Sequence, residues 1–207
     1  SLMRKILVAL SFVLAGSICF GQASISVKDL TCEGLVNPLA IDSTAPHFGW
    51  MIHSDRAGTA SAAYQILVAT TPEKLDEKNA DLWNSGKVLS AESISVSYEG
   101  KPLASKAFAY WKVRIWDNEG NVSKWSAPAS FGIGFLEDKD WASNAAFIGV
   151  PGNGGKSEVS PLLRKKFTAE KGAERYLLHV NSLGYHEAYV NGLPVSDAVL
   201  SPAVSQF

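Results

Sequence analysis

From Ser24 to about Gly134 the sequence keeps returning to one pattern: a short run in which apolar and polar side chains alternate, closed by turn-forming residues. The densest run is Ala109-Tyr110-Trp111-Lys112-Val113-Arg114-Ile115-Trp116. Successive strand side chains point to opposite faces, so Trp111, Val113 and Ile115 fall on an inner face and Tyr110, Lys112, Arg114 and Trp116 on an outer one. A helix cannot satisfy a period of two, and this constrains the chain to β-structure. Ile25 to Leu30, His47 to Ile52 (Phe48, Trp50 and Ile52 together), Ala63 to Ala69 and Ser93 to Tyr98 read the same way. Leu82 to Val88 reads as strand returning through a Ser-Gly turn, and Ser123 to Pro128 as the return strand after the turn Asp117-Asn118-Glu119-Gly120-Asn121. Asn37-Pro38 and Ala45-Pro46 break the chain. Thr71-Pro72-Glu73-Lys74-Leu75 offers a cap, a proline at the first helical position and an early acid, which predicts one short helix. Six or seven strands with turn signals about every 8–12 residues argue for an antiparallel β-sandwich.

The first residues follow other rules. Met3-Arg4-Lys5 is a short positive start, Ile6 to Ile18 is apolar, and small residues alternate around Gly21 and Ala23. This is the layout of a secretory signal peptide over residues 1–23, with Ser1-Leu2 a cloning remnant. The apolar run is short for a bilayer, which needs about 20 residues. Cleavage is expected after Gly21 or Ala23, with export to the periplasm or the exterior and no membrane insertion afterwards. Lipid anchoring through Cys19 is less favoured, because bulky Ile18 precedes it. Removal of this segment takes two cations, Arg4 and Lys5, and no acid, moving the formal charge from −1 to −3. No basic stripe interrupts that balance, so no nucleic-acid partner is expected. Cys32 is then the sole cysteine, read as a small buried hydrophobe, and no pair is left to bridge two sheets. That favours a sandwich of fibronectin type III kind over an antibody kind.

Phe135 to Trp141 reads as a polar connector, and the Gly- and Pro-rich stretch 149–155 as loop, so residues 135–160 are assigned to linker and loop. Leu162 to Phe167, Tyr176 to Val180 and Glu187 to Val190 read as strands of a second β-unit. Asn191-Gly192 supplies the positive φ angles of a two-residue hairpin turn.

Several stretches, taken in order, resemble the N-terminal part of bacterial α-L-rhamnosidases of glycoside hydrolase family 78. They are Asn37-Pro38-Leu39-Ala40-Ile41-Asp42, Ala63-Tyr64-Gln65-Ile66, Leu82 to Val88, Tyr110 to Asp117, Pro161 to Phe167, and Leu183-Gly184-Tyr185-His186-Glu187 with Asn191-Gly192. Ala40 stands where the family usually has glycine, so the local turn is expected not to need φ > 0. The resemblance implies an all-β chain. A fibronectin type III-like β-sandwich over 24–134 would be followed by an incomplete jelly-roll-type β-domain over 161–207. The expected parent is a secreted hydrolase of terminal α-L-rhamnosides, acting with inversion on a rhamnose-containing glycan. Its missing C-terminal domains would be this segment's partners. The alternative is a free-standing fibronectin-like carbohydrate-binding or adhesion module.

Inversion calls for two carboxyl groups roughly 6.5–9.5 Å apart around a water. The resemblance places them on a barrel of helices that this sequence does not carry, so no catalytic residue is assigned. Asp138, Asp140, Glu73, Asp76 and Glu77 are read as solvated surface charges. No cofactor is expected, and no metal: there is no Cys-x-x-Cys, and His47, His53, His179 and His186 are scattered. The glycine-rich stretch at 149–155 lacks the Lys-Ser or Lys-Thr of a phosphate loop. Arg114, Trp116 and Trp125 are expected to stack as alternating cation and ring, in a structural role. Tyr185, His186, Tyr189 and Asn191 are the candidates for touching sugar, through rings on pyranose faces and an amide to hydroxyls. For Tyr185 and Tyr189 the competing expectation is that they fill the core of the second β-unit.

Overall fold

The computed structural model describes residues 25–143, 145–149, 161–173, 176–182 and 184–195; the signal-peptide assignment lies outside them. The chain divides into two units, one through Trp141 and one from Ala142.

In the first unit, strands β1 (Ile25–Cys32), β2 (His47–Ser54) and β5 (Val96–Ser97) form one antiparallel sheet in the order β1-β2-β5. Strands β3 (Ser61–Ala69), β4 (Trp83–Asn84), β6 (Phe108–Asp117) and β7 (Ala129–Gly132) form another in the order β4-β3-β6-β7. Three strands against four, with Cys32 free, is the fibronectin type III arrangement expected from the sequence. The longest ladder joins β3 to β6, from Ser61 opposite Asp117 to Ala69 opposite Tyr110. Alternation along β6 is strict: Trp111, Val113 and Ile115 are fully buried, whereas Tyr110, Lys112, Arg114 and Trp116 lie at the surface side.

Phe48 on β2 is the hub of the core. Its ring centroid lies 4.3 Å from Trp111, 5.7 Å from Phe131, 6.3 Å from Tyr98 and 6.4 Å from Trp83. Offset and edge-on ring pairs add about 0.5–1.5 kcal/mol each beyond burial. Cys32 is buried and free, and burial pushes its thiol up to about 12, with the Glu33 charge adding to the effect.

The loop between β1 and β2 packs against β7. Gly132 donates to the Pro38 carbonyl at 2.9 Å and accepts from Ile41 at 2.9 Å. A Cβ at position 132 would sit 2.1 Å from the Leu39 carbonyl oxygen, so only glycine allows this approach. The positive φ of this stretch is at Asn37, and Ala40 needs none.

Three local expectations shift. The helix after Thr71 is a single 3₁₀ turn, Pro72–Lys74. The stretches 82–88 and 93–98 pair only briefly, as β4 and β5. Ser123 to Pro128 runs beside β6 without becoming a strand. There the amides of Ser123 and Ser126 bond to the Ile115 and Val113 carbonyls. In return, the Ile115 and Val113 amides donate to the hydroxyls of Ser123 and Ser126, at 3.0 and 3.1 Å. Side-chain oxygens thus replace the backbone carbonyls of a regular ladder.

Residues 135–141 fold back on the sandwich. A 3₁₀ turn, Asp138–Asp140, is held by a reciprocal box between Glu137 and Asp140. Leu136 packs on the core, and the Phe135 and Trp141 rings meet edge-on at 4.8 Å.

In the second unit, β8 (Tyr189–Val190) and β9 (Leu193–Pro194) form a hairpin. Asn191 and Gly192 have φ of 52° and 83°, the turn chemistry expected of Asn-Gly. Residues 162–167 and 176–180 are not in strands. Leu162 is 101% exposed and Phe167 72%. An alternating pattern records a preference for a half-buried face, but a strand also needs a neighbour to bond.

Candidate functional site

The four residues singled out for sugar contact cluster on and beside the β8–β9 hairpin. Asn191 holds the first left-handed position of the turn, and its backbone rather than its amide is what the fold uses. Tyr189 is 57% exposed and donates from its hydroxyl to Glu187 Oε2 at 2.7 Å. That hydrogen bond, then the Glu187 charge, raises the phenol above its ordinary value. Tyr185 is 58% exposed. Among the described residues no sheet packs over the β8–β9 hairpin, and both rings are exposed there. His186 is half-buried, with Nδ1 2.8 Å from Ser182 Oγ. The arrangement brings together Ser182 with His186 and Glu187 with Tyr189. Among the described residues, no hydrogen bond or ring contact joins the four candidates to one another.

A second constellation lies on the outer face of the four-stranded sheet. Lys87 Nζ lies 4.6 Å from the Trp116 ring, Arg114 Cζ is 5.0 Å from Trp116 and 4.5 Å from Trp125, and Lys112 Nζ is 5.0 Å from Trp125. Cation and ring alternate along the whole row. Arg114 is fixed from the side by Gln65 Oε1, at 3.0 Å from Nε and 2.7 Å from Nη2, and by Glu77 Oε1 at 2.6 Å. Desolvation pulls the Lys112 ammonium below its ordinary value, with Asp76 opposing it and Arg114 adding to it. Sequence reasoning found Arg114, Trp116 and Trp125. It missed Lys112, although the same period-two face carries it, and Lys87, which only tertiary folding brings over Trp116. Every member has a structural partner, so the row acts as a brace.

Two of the acids read as solvated charges, Asp76 and Asp140, hold loops, as does Asp117. Asp76 accepts from the amides of Lys78 at 2.8 Å and Asn79 at 3.0 Å, and from Asn79 Nδ2 at 2.6 Å. Asp140 accepts from the Ser105 hydroxyl, from the Leu136 amide at 3.0 Å and from the Glu137 amide at 2.9 Å. Asp117 accepts from the amides of Glu119 and Asn121 and from the Asn121 side chain. Side-chain donors (Asn79, Ser105 and Asn121 respectively) lead in holding these three carboxyls below their ordinary range. Partial burial tends to raise Asp81, yet Lys74 and Thr70 lower it further than the burial raises it. A general acid for glycoside cleavage needs the opposite shift. Glu77 is the partner of Arg114. Among the described residues, no group of three His, Cys, Asp or Glu side chains is placed to hold a metal ion.

Comparison with known proteins places both units. Residues 27–137 match the family described as Rha78A-like, N-terminal immunoglobulin domain, and residues 171–207 match the α-L-rhamnosidase N-terminal domain. Two proteins of Formosa agariphila named α-L-rhamnosidase are similar to the chain. One is 34% identical over 95% of the chain and 23% of its own length, the other 33% identical over 87% and 20%. The chain thus spans about a fifth of the length of these curated relatives. Among solved structures, the Streptomyces avermitilis α-L-rhamnosidase complexed with L-rhamnose is 34% identical with a TM-score of 0.55, over 57% of this chain and 11% of that one. The α-L-rhamnosidase of Dictyoglumus thermophilum is 35% identical with a TM-score of 0.54, over 56% and 13%.

Proposed function

The chain belongs to the Rha78A-like family through its N-terminal immunoglobulin domain, and from that membership we propose that it is the non-catalytic front of an exported α-L-rhamnosidase. The complete protein would hydrolyse terminal α-L-rhamnosides with inversion. The observation that carries this reading is the ordered pair of matches, sandwich first and rhamnosidase N-terminal domain second. The reading as a free-standing adhesion module is less favoured, since relatives aligned along nearly the whole chain share the rhamnosidase name. The unit from residue 161 is, in this proposal, the opening of a jelly-roll-type domain, and residues 1–23 direct export.

The fold supports a carrier role. Five carboxyls that show a shift all shift down, so they stay ionised and bonded to loop donors instead of delivering a proton. The test compares this 207-residue chain with the polypeptide encoded by the reading frame continued past Phe207, using a p-nitrophenyl α-L-rhamnoside. The longer protein should release nitrophenol and form the β-anomer of rhamnose first, whereas this chain should be inert. Turnover by this chain alone, or a reading frame with no further domain, overturns the proposal. N-terminal sequencing of exported protein should begin after Gly21 or Ala23.

A further inference from the structure

Where the two sheets of the sandwich meet at the β4 and β5 edges they leave a cleft of about 350 Å³, lined among others by Tyr64, Trp83, Val88, Glu92, Ser95 and Glu99. That is the lower end of the range for small-ligand sites, about 300–1,000 Å³. Tyr64 comes to it from the inner face of β3. Its backbone is bonded on both sides to Val88, at 3.0 and 2.8 Å, and its ring packs edge-on against Trp50 at 5.4 Å. Only 7% of the residue is exposed. Its hydroxyl has no hydrogen-bond partner among the described residues and is not among the buried unpaired polar atoms, so it keeps access to a ligand or to solvent from the cleft.

The remaining lining sorts by what is already committed. Asn84 accepts from Gln65 and Gly86 and donates to Glu77, and the Ser85 hydroxyl bonds to Ile66 and Gly86. Left over are Tyr64 Oη and the hydroxyls of Ser95 and Ser97, together with two carboxylates, Glu92 and Glu99, which form no ion pair among the described residues. No cationic side chain lines the cleft. An anion would meet two negative charges. An ammonium has donors but no lone pair to accept the Tyr64 proton. A metal ion lacks a third acidic, histidine or cysteine ligand among the described residues. A sugar hydroxyl both accepts and donates, and vicinal hydroxyls match a phenol set beside carboxylates. Trp83 and Val88 supply the apolar wall that a pyranose face needs.

We propose that this cleft is a binding site for a neutral saccharide, with Tyr64 donating to a sugar oxygen and Glu92 and Glu99 accepting from neighbouring hydroxyls. The rhamnosidase reading enters only in the choice of sugars used as probes. Calorimetric titration of the full chain with L-rhamnose, D-galactose and cellobiose should give saturable binding to at least one of them. D-glucuronate should bind at least tenfold more weakly. Tyr64→Phe keeps the ring packing and should weaken the sugar at least tenfold with an unchanged circular dichroism spectrum and thermal midpoint. Glu99→Gln should weaken it as well. Failure of all three neutral sugars to bind overturns the proposal, as does wild-type affinity in Tyr64→Phe. Tighter binding of spermidine or calcium than of any sugar also overturns it. None of these results bears on turnover by the longer polypeptide, so the two readings fail separately.

Discussion

The sandwich of residues 25–141 and the hairpin unit beyond it are written in the same alternating code, yet among the described residues only the sandwich buries it. On β6 the inner residues Trp111, Val113 and Ile115 have no exposed surface, because β1, β2 and β5 lie across from them. In the second unit Tyr176, Leu178 and Val180 recur at the same period of two and are exposed. At about 25 cal/mol per Å² of apolar surface, the same side chain stabilises one unit and contributes little to the other. Periodicity marks which face wants burial; a second layer is what rewards it.

That contrast can be broken most directly at its centre. Trp111→Ala should destabilise the sandwich by roughly 3–5 kcal/mol, as large-to-small changes of buried aromatics do. Leu162→Ala should stay within about 0.5 kcal/mol, as exposed substitutions do. Urea unfolding of both variants checks the pair, and equal effects would dissolve the distinction. Solvent exclusion gives a second measure. A thiol raised from 9.0 to about 12 leaves roughly a thousandfold less thiolate at a given pH, about tenfold for each pH unit. Iodoacetamide at mildly alkaline pH should therefore spare Cys32 in the folded chain and label it in urea, with peptide mapping to score it apart from Cys19. Because the folded thiol is the harder one to ionise, stability should also fall as pH rises from 9.0 towards 12.

The outer-face row sharpens the comparison on a smaller scale. Each exposed cation–ring contact is worth about 0.5–1 kcal/mol, so an Arg114 and Trp125 double-mutant cycle should return a coupling of that size. Zero coupling would make the row an accident of packing. The smallest effect is acid sensitivity. Asp76, Asp117 and Asp140 ionise more readily folded than unfolded, so the stability they lend is intact above the ordinary value of 3.8 and is lost as pH falls below it. Asp140→Asn should flatten the decline of the thermal midpoint below that pH, and should raise amide exchange at Leu136 and Glu137.

The candidate surfaces differed in how far local reasoning reached them. The stacking of Arg114, Trp116 and Trp125 was legible because the outer face of β6 carries the first two at period two and the segment returning beside β6 carries the third. The exposure of Tyr185 and Tyr189 was not, since the same alternation fits a core or a surface. Asp140 looked like a solvated charge because nothing near it in the chain reveals the Ser105 hydroxyl it meets. Tyr64 was read only as part of a strong strand, and its unpartnered hydroxyl becomes visible only when Glu92 and Glu99 come to face it.

Residue order alone sufficed for the β-class of the chain, the inner face of β6 and the Asn191-Gly192 turn. Each of these follows from steric and solvation preferences that act over a few neighbouring residues. Folding in three dimensions was needed to choose which alternating runs gained a covering sheet. It also recruited the Ser123 and Ser126 hydroxyls to β6 and opened the cleft beneath Tyr64. Those outcomes depend on groups far apart in the chain meeting at a few ångströms, and no local preference encodes such a meeting.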